Sequence, residues 1–128
     1  MATSSLVIDS NIFIEYLRAK DKRKTILYSI SEGFTLYVSA VTVYELYMGA
    51  TNDEKKKDIQ TLTEDIIILP FNEDVAIKAS EIYHDLRKIN QMVEFRDIFI
   101  GATCIVYNLP IKTTNTNHFN RFKGIRFG

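Results

Sequence analysis

Short apolar runs alternate with amphipathic helical segments along this chain, and no other feature restricts its possible folds as strongly. Leu6-Val7-Ile8 is a short run with two β-branched residues, which is typical of a strand buried on both faces. Asp9-Ser10-Asn11 follows at once and supplies side chains that cap helix N-termini. Because strands that alternate with helices form parallel sheets through right-handed crossovers, we predict an α/β sandwich with a mostly parallel sheet of four to five strands.

The same alternation continues to the end of the chain. Further strands are predicted at 34–38, 66–69 and 111–113, with a last short strand near Ile125. The strand at 66–69 is expected to be buried. Helices are predicted at 11–17, 26–33, 42–50, 53–63, 72–89 and 97–106. Asn72 is expected to cap the fifth helix and Asp97 to open the sixth, which is apolar nearly all round and is therefore expected to be central.

Length and composition favour one globular domain, expected to span residues 1–128 and to lie in the cytoplasm. Apolar residues make up 46% of the chain, which is enough for a core of its own. No apolar run approaches the roughly 18 residues that span a bilayer, so we expect no membrane association. Cys104 is the single cysteine and the chain has two histidines, which excludes an internal disulfide and argues against a zinc site.

The formal net charge of zero conceals an uneven distribution of charge. The chain has sixteen Lys and Arg and sixteen Asp and Glu. The last acid is Asp97, and the bases that follow it are Lys112, Arg121, Lys123 and Arg126. The part after Asp97 is therefore purely basic and the part before it is acidic, which is the first indication about partners.

Polar residues follow two of the predicted strands at what should be the same edge of the sheet. Asp9 comes after the first strand, and residues 113–115 come at the end of the fourth. Ligands bind beyond the carboxyl ends of strands in sheets of this kind. Two more acids, Glu45 and Asp97, stand among apolar neighbours. Each acid also has a structural interpretation, because Asp9 and Asp97 could cap helices and Glu45 could face solvent.

Three carboxylates at one edge would repel one another unless protons or a cation lay between them. In the absence of a His or Cys cluster, the oxygen ligands of Asp9, Glu45 and Asp97 favour a hard divalent ion, Mg²⁺ or Mn²⁺. Such an ion recruits phosphate and activates water for in-line attack on phosphorus. The three acids therefore predict metal-dependent hydrolysis at phosphorus.

Four segments of this chain resemble the successive motifs of PIN-domain ribonucleases, and most closely those of VapC-type toxins. The segments are 7–14 (VIDSNIFI), 39–50 (SAVTVYELYMGA), 96–103 (RDIFIGAT) and 113–119 (TTNTNHF). They occur in the family's order and extend over essentially the whole chain. The resemblance implies a PIN-like three-layer α/β/α sandwich and an Mg²⁺- or Mn²⁺-dependent endoribonuclease that leaves 5′-phosphate ends.

The resemblance also implies roles for individual residues. Asp9 and Asp97 are expected to hold the ion, with Glu45 as the third acid. Asn115 stands where some family members have a fourth acid; its amide can bind a water or phosphate but carries no charge, so we expect one tightly bound ion. Supporting roles are expected for Ser10, Asn11 and Thr113. His118 is expected to be a surface or packing residue outside the catalytic set.

RNA is the expected substrate, and two basic segments offer contacts for its phosphates. One is the cluster of bases at 18–24. The other interleaves aromatic rings with bases: Phe119, Arg121, Phe122, Lys123, Arg126 and Phe127. This second segment is equally compatible with an aromatic core and solvated charges. The resemblance further implies a homodimer, and an antitoxin whose segment fills the cleft.

The leading hypothesis is thus the toxin of a toxin–antitoxin pair, and two other classes of function are weighed against it. One is a PIN-like module that binds RNA or a protein without catalysis, against which the intact acids argue. The other is phosphotransfer by a receiver-like domain or a haloacid-dehalogenase-type phosphatase. Both phosphotransfer folds need a second acid near the first strand, which Asp9 lacks.

Overall fold

Four strands form one parallel sheet in the computed structural model, which describes residues 4–128. In chain order they are β1 (Ser4–Ile8), β2 (Phe34–Ser39), β3 (Ile67–Leu69) and β4 (Ile111–Lys112). Across the sheet their order is β3-β2-β1-β4, and every pairing is parallel. The central strand β1 pairs Leu6 with Leu36 on one side and Val7 with Ile111 on the other. The predicted parallel sheet is confirmed.

Helices connect and cover these strands. Within residues 4–128 they are α1 (Ser10–Arg18), a 3₁₀ helix (Lys22–Lys24), α2 (Ile26–Ile30), α3 (Ala40–Met48), α4 (Asp53–Thr63), α5 (Glu73–Lys88), α6 (Phe95–Val106) and α7 (Thr116–Phe119). Backbone N–H groups at the starts of α1, α3, α4 and α5 donate hydrogen bonds to the side-chain oxygens of Asp9, Ser39, Asn52 and Asn72, respectively. The expected caps at Asp9 and Asn72 are therefore confirmed.

The sheet separates two hydrophobic cores. Alternate side chains of β1 point to opposite faces, so Leu6 and Ile8 pack with α1 to α4 and Val7 packs with α5 to α7. The helix α6 buries seven of its residues, as its nearly continuous apolar surface predicts. Helices on both faces of the sheet give the three-layer α/β/α sandwich that the sequence predicts.

Three local expectations are wrong. The run at 66–69 is not a buried strand, because β3 lies at the edge of the sheet and leaves Ile67 and Ile68 about half exposed, at 49% and 50%. The last short strand is replaced by an isolated parallel bridge between Ile111 and Phe127. Asp97 does not open α6: that helix begins after Glu94, and Asp97 lies within its first turn.

In the part of the chain that the structure describes, no helix combines the length and the apolar character needed to cross a membrane.

Candidate active site

Asp9 lies at the carboxyl end of β1 and is completely buried. Its Oδ1 accepts the backbone N–H of Ser10 at 2.8 Å, and its Oδ2 accepts the hydroxyl of Thr113 at 2.7 Å. Pairing of the strands brings these groups together, since the Asp9 N–H donates to the Lys112 carbonyl at 3.0 Å. The expected placement of Asp9 and Thr113 at one edge of the sheet is confirmed.

Glu45 and Asp97 reach the same edge from two helices that pack against each other. Glu45 lies in the middle of α3, the helix that follows β2 directly, and its side chain is 18% exposed. Asp97 lies in the first turn of α6 and its side chain is 1% exposed. Asp9, Glu45 and Asp97 are called the acid cluster below. Glu45 therefore does not face solvent, and Asp97 does not cap a helix, so the two structural interpretations of these acids are wrong.

One side chain touches all three members of the acid cluster. Arg96 donates from Nε to Glu45 Oε2, from Nη1 to Asp97 Oδ1, and from Nη2 to Asp9 Oδ1 at 3.3 Å. Its Nη2 also donates to the hydroxyl of Ser10, so the expected supporting residue Ser10 belongs to the site. Arg96 is separated by 87 residues from Asp9 and by 51 from Glu45, so only the tertiary fold assembles this group.

The acid cluster keeps Arg96 charged. Burial lowers the pKa of its guanidinium, but the hydrogen bond to Glu45 and the charges of all three acids outweigh burial and raise that pKa above its usual value.

The thiol of Cys104 in α6 is shifted toward its neutral form. Burial, together with the charge of Asp9, raises the pKa of this thiol to about 12. Cys104 therefore stays protonated and is neither a nucleophile nor a metal ligand.

The last motif contributes three residues in different ways. The Asn115 N–H donates to Thr113 Oγ1 at 2.9 Å, which extends the hydrogen-bonded chain from Asp9. The amide side chain of Asn115 forms no hydrogen bond within residues 4–128, and the same holds for Asn11. His118 lies in α7 with its Nδ1 2.9 Å from Asp97 Oδ2. The fold therefore brings His118, which was expected to be peripheral, into contact with the acid cluster.

A groove of about 480 Å³ has Glu45 among its lining residues. Helices α1, α3 and α4 form it, and its apolar lining includes Ile14, Leu17, Leu46, Ala50 and Ile59. Two bases, Arg18 and Lys55, and two further acids, Glu54 and Asp58, also line it. The groove thus combines apolar side chains, charges of both signs and one acid of the cluster.

Two independent comparisons identify the fold and the family. A model of the PIN domain matches residues 6–125. Ribonuclease VapC from Rickettsia bellii is 30% identical over 123 residues, which covers 91% of this chain and 89% of the relative. The chain is a PIN domain of the VapC family. The motif resemblance is therefore confirmed.

Two further relatives resemble this PIN domain over most of their length. Toxin FitB from Neisseria gonorrhoeae is 28% identical over 125 residues, covering 89% of this chain and 90% of the relative. The crystal structure of DNA-bound VapBC from Salmonella typhimurium contains a chain that matches with a TM-score of 0.85 at 20% identity, covering 99% of this chain and 98% of that one. At that identity, the structural match supports the fold alone.

All four motifs of this PIN domain meet at the carboxyl edge of the sheet. They contribute, in chain order, Asp9, Glu45, Arg96 with Asp97, and Thr113 with His118. Sequence reasoning missed the site roles of Arg96 and His118, although both lie within the recognised segments. The available signal was electrostatic: three converging acids need a positive partner, and Arg96 directly precedes one of them.

Two of the three aromatic rings in the basic and aromatic tail of this PIN domain lie in the core, while Phe127 is 42% exposed. Phe119 and Phe122 are buried, at 0% and 3% exposure, and pack edge to face with ring centroids 5.7 Å apart. The interpretation of these two rings as stacking groups is wrong, and the core interpretation is confirmed. Arg121 and Arg126 donate to the backbone carbonyls of Gln91 and Asn108, which fastens the tail to neighbouring loops.

The site of this PIN domain is arranged around the guanidinium. Within residues 4–128, no three His, Cys, Asp or Glu side chains lie close enough together to hold a metal ion. Five of the six carboxylate oxygens of the acid cluster have a hydrogen-bond partner. The sixth, Glu45 Oε1, is buried without one. A buried carboxylate oxygen without a partner is stabilised when a hydrogen-bond donor or a cation binds it.

Proposed function

We propose that this protein is an endoribonuclease that hydrolyses phosphodiester bonds of RNA and uses Mg²⁺ or Mn²⁺. The observation that carries the proposal is the convergence of Asp9, Glu45 and Asp97, from three separate parts of the fold, on the side chain of Arg96 at the carboxyl edge of the sheet. The Rickettsia relative, named a ribonuclease, supports RNA as the substrate class. Hydrolysis is expected to leave 5′-phosphate ends.

The donor set of the acid cluster fits a hard divalent ion. Its three carboxylates carry three formal negative charges, and their oxygen atoms are the ligands that such ions prefer. The unpartnered Glu45 Oε1 offers the ion a ligand. Asp9, Asp97 and Glu45 would hold the ion. When bound, it would supply charge stabilisation at the phosphate and a more acidic water.

The residues around the acid cluster position it for that chemistry. The Ser10 N–H and the Thr113 hydroxyl fix the two oxygens of Asp9, and His118 binds the second oxygen of Asp97. Partners of this kind orient ligating carboxylates. Arg18 and Lys55 line the same groove as Glu45 and offer positive charge to RNA phosphates beside the acids Glu54 and Asp58.

We further propose that the protein acts in the cytoplasm as the toxin of a toxin–antitoxin pair and as a homodimer. The Neisseria relative is named a toxin, which supports this biological role. The groove between α1, α3 and α4 suits a partner segment that carries both apolar and charged side chains, because apolar residues and charges of both signs line it. An antitoxin segment seated there would also exclude RNA from the acid cluster.

Cleavage of RNA by purified protein with and without one acid tests the enzymatic proposal. We expect Asp97→Asn to lower the Mn²⁺-dependent cleavage rate by about 100-fold or more, because it removes a charged ligand from the site. Excess EDTA should abolish cleavage by the unmodified protein. The control is Asp85→Asn, the same chemical change at an exposed position of α5, which should leave the rate unchanged.

Two results would contradict the enzymatic proposal. Undiminished cleavage by Asp97→Asn, or in EDTA, would show that another group performs the reaction or that a contaminant does. A protein that binds RNA without cutting it, and binds no Mn²⁺, would instead be the non-catalytic module.

A further inference from the structure

Arg96 occupies the position between the three acids that a shared cation would otherwise take. Four of its N–H groups are directed at Asp9, Glu45, Asp97 and Ser10. A guanidinium has five such groups, so most of its capacity is used at this one point. The acids contact the same planar cation from different sides, and they do not come near enough to one another to share a metal ion.

This arrangement places a positive charge among the buried carboxylates. Asp9 and Asp97 are almost completely inaccessible, at 0% and 1% exposure. Like charges buried together are costly unless a positive partner lies among them. Arg96 is that partner, and its guanidinium takes the place that an external cation would otherwise have.

The Arg96 side chain can also move away from the acid cluster, unlike the Ser10 and Thr113 groups that bind it. The Ser10 N–H belongs to the first turn of α1, and Thr113 is held beside Asp9 by the pairing of β1 with β4. Arg96, in contrast, has a side chain that is 24% exposed and lies in the first turn of α6, beside Phe95, which is 60% exposed. Rotation of a long side chain toward solvent breaks its ion pairs without disturbing the sheet or the helices.

We propose that Arg96 is a built-in counter-cation that competes with the divalent ion for the acid cluster, so that metal binding requires the guanidinium to leave. The inference rests on the proposed function, since it assumes that the acid cluster is the metal site. It adds that Arg96 lowers the affinity of that site for metal while stabilising the protein without metal. Arg96 is thus a positioning residue for the acids and an internal inhibitor of metal binding.

Mn²⁺ titration of EDTA-treated protein, followed by calorimetry, tests this proposal. We expect Arg96→Gln to bind Mn²⁺ about tenfold or more tightly than the unmodified protein, because the competing positive charge is gone. In EDTA the same variant should melt at a lower temperature, since the acids then repel one another. Added Mn²⁺ should raise the melting temperature of Arg96→Gln by more than that of the unmodified protein.

Two further variants make the result interpretable. Arg23→Gln removes the same charge from an exposed ion pair with Asp21, and it should change the Mn²⁺ affinity by less than about twofold. Arg96→Lys keeps the charge but offers one nitrogen in place of a fork, so its Mn²⁺ affinity should lie between those of the unmodified protein and Arg96→Gln. If Arg96→Gln does not fold, tighter binding by Arg96→Lys than by the unmodified protein supports the proposal.

If Arg96 had a purely structural role, its variants would bind Mn²⁺ with unchanged or lower affinity. If the Arg96 variants bind Mn²⁺ no more tightly than the unmodified protein, while binding still depends on Asp97, the proposal is overturned and the proposed function stands. If neither the unmodified protein nor Arg96→Gln binds Mn²⁺, both the proposal and the metal-dependent function are overturned.

Discussion

At the scale of single residues, the site depends on close packing as much as on charge. Gly101 lies in α6 one turn after Asp97, where the Phe122 ring crosses the helix. A Cβ atom added at Gly101 would stand 2.5 Å from Phe122 Cε2 and 3.6 Å from Phe119 Cδ1. The absence of a side chain at this position therefore lets the C-terminal aromatic pair pack directly on the helix that carries Asp97.

Gly101→Ala should destabilise the protein. The Phe122 ring is buried, so overpacking against it should cost about 1–3 kcal/mol of the free energy of unfolding. Chemical denaturation measures that free energy. Gly49→Ala is the matched control, because its Cβ would meet the nearest atoms at an ordinary 3.7 Å and should change stability by less than about 1 kcal/mol. Equal stability of the two variants would contradict this account of Gly101.

At the scale of elements, short junctions place the acids. β1 ends at Ile8 and α1 begins at Ser10, so Asp9 is at once the end of a strand and the cap of a helix. β2 is followed directly by α3, which carries Glu45. Helix α5 then packs along α6, the element that carries Arg96 and Asp97. The stability of α5 therefore contributes to the position of half the site.

Asn72→Ala should weaken α5. The Asn72 Oδ1 accepts the Val75 N–H at 3.0 Å, and loss of such a cap costs about 1 kcal/mol of the free energy of unfolding. Asn72→Asp keeps an acceptor at the positive end of the helix and should retain most of the stability, although it loses the hydrogen bond from Nδ2 to the Tyr107 hydroxyl. Urea denaturation compares the two. If Asp destabilised as much as Ala, the Tyr107 contact and not the cap would be the important interaction.

At the scale of the whole molecule, one surface remains strongly apolar. Four aromatic residues line a groove between α5 and α6, with Ala76, Ser80 and other small or apolar neighbours: Phe71, Tyr83, Phe95 and Phe99. Phe71 and Phe95 are 41% and 60% exposed. Exposed apolar side chains that lie side by side are typical of interaction surfaces, and we expect the proposed homodimer to cover these.

Ala76→Glu should convert the expected dimer to a monomer. Ala76 is exposed and lines the groove, so the fold tolerates Glu while the interface would bury an unpaired charge. Light scattering reports the mass, which for one chain is 14.8 kDa. Thr61→Glu adds the same charge on the exposed surface of α4 and should leave the dimer intact. A dimer that persists in Ala76→Glu, or an unmodified protein that is monomeric, would place the interface elsewhere or remove it.

The amino-acid sequence alone determined the architecture and the identity of the three acids in the site. Runs such as Leu6 to Ile8, caps such as Asp9 and Asn72, and the apolar surface of α6 act through local propensity and periodicity, which nearby residues specify. Parallel strands place their carboxyl ends together, so the convergence of Asp9 and Thr113 also followed from the pattern. The roles of Asn115 and Asn11 remain predictions.

Only the tertiary structure decided which charges meet and which strand lies at the edge. Ile66 to Leu69 has the composition of a central strand, and its exposure depends on the strand order β3-β2-β1-β4. Arg96 acquires its role from residues 51 and 87 positions away, and His118 from Asp97, 21 positions away. The physical reason is the range of the interactions: caps and periodicity act within a few residues, whereas the balance of charge at a buried site is set by whichever side chains the fold makes neighbours.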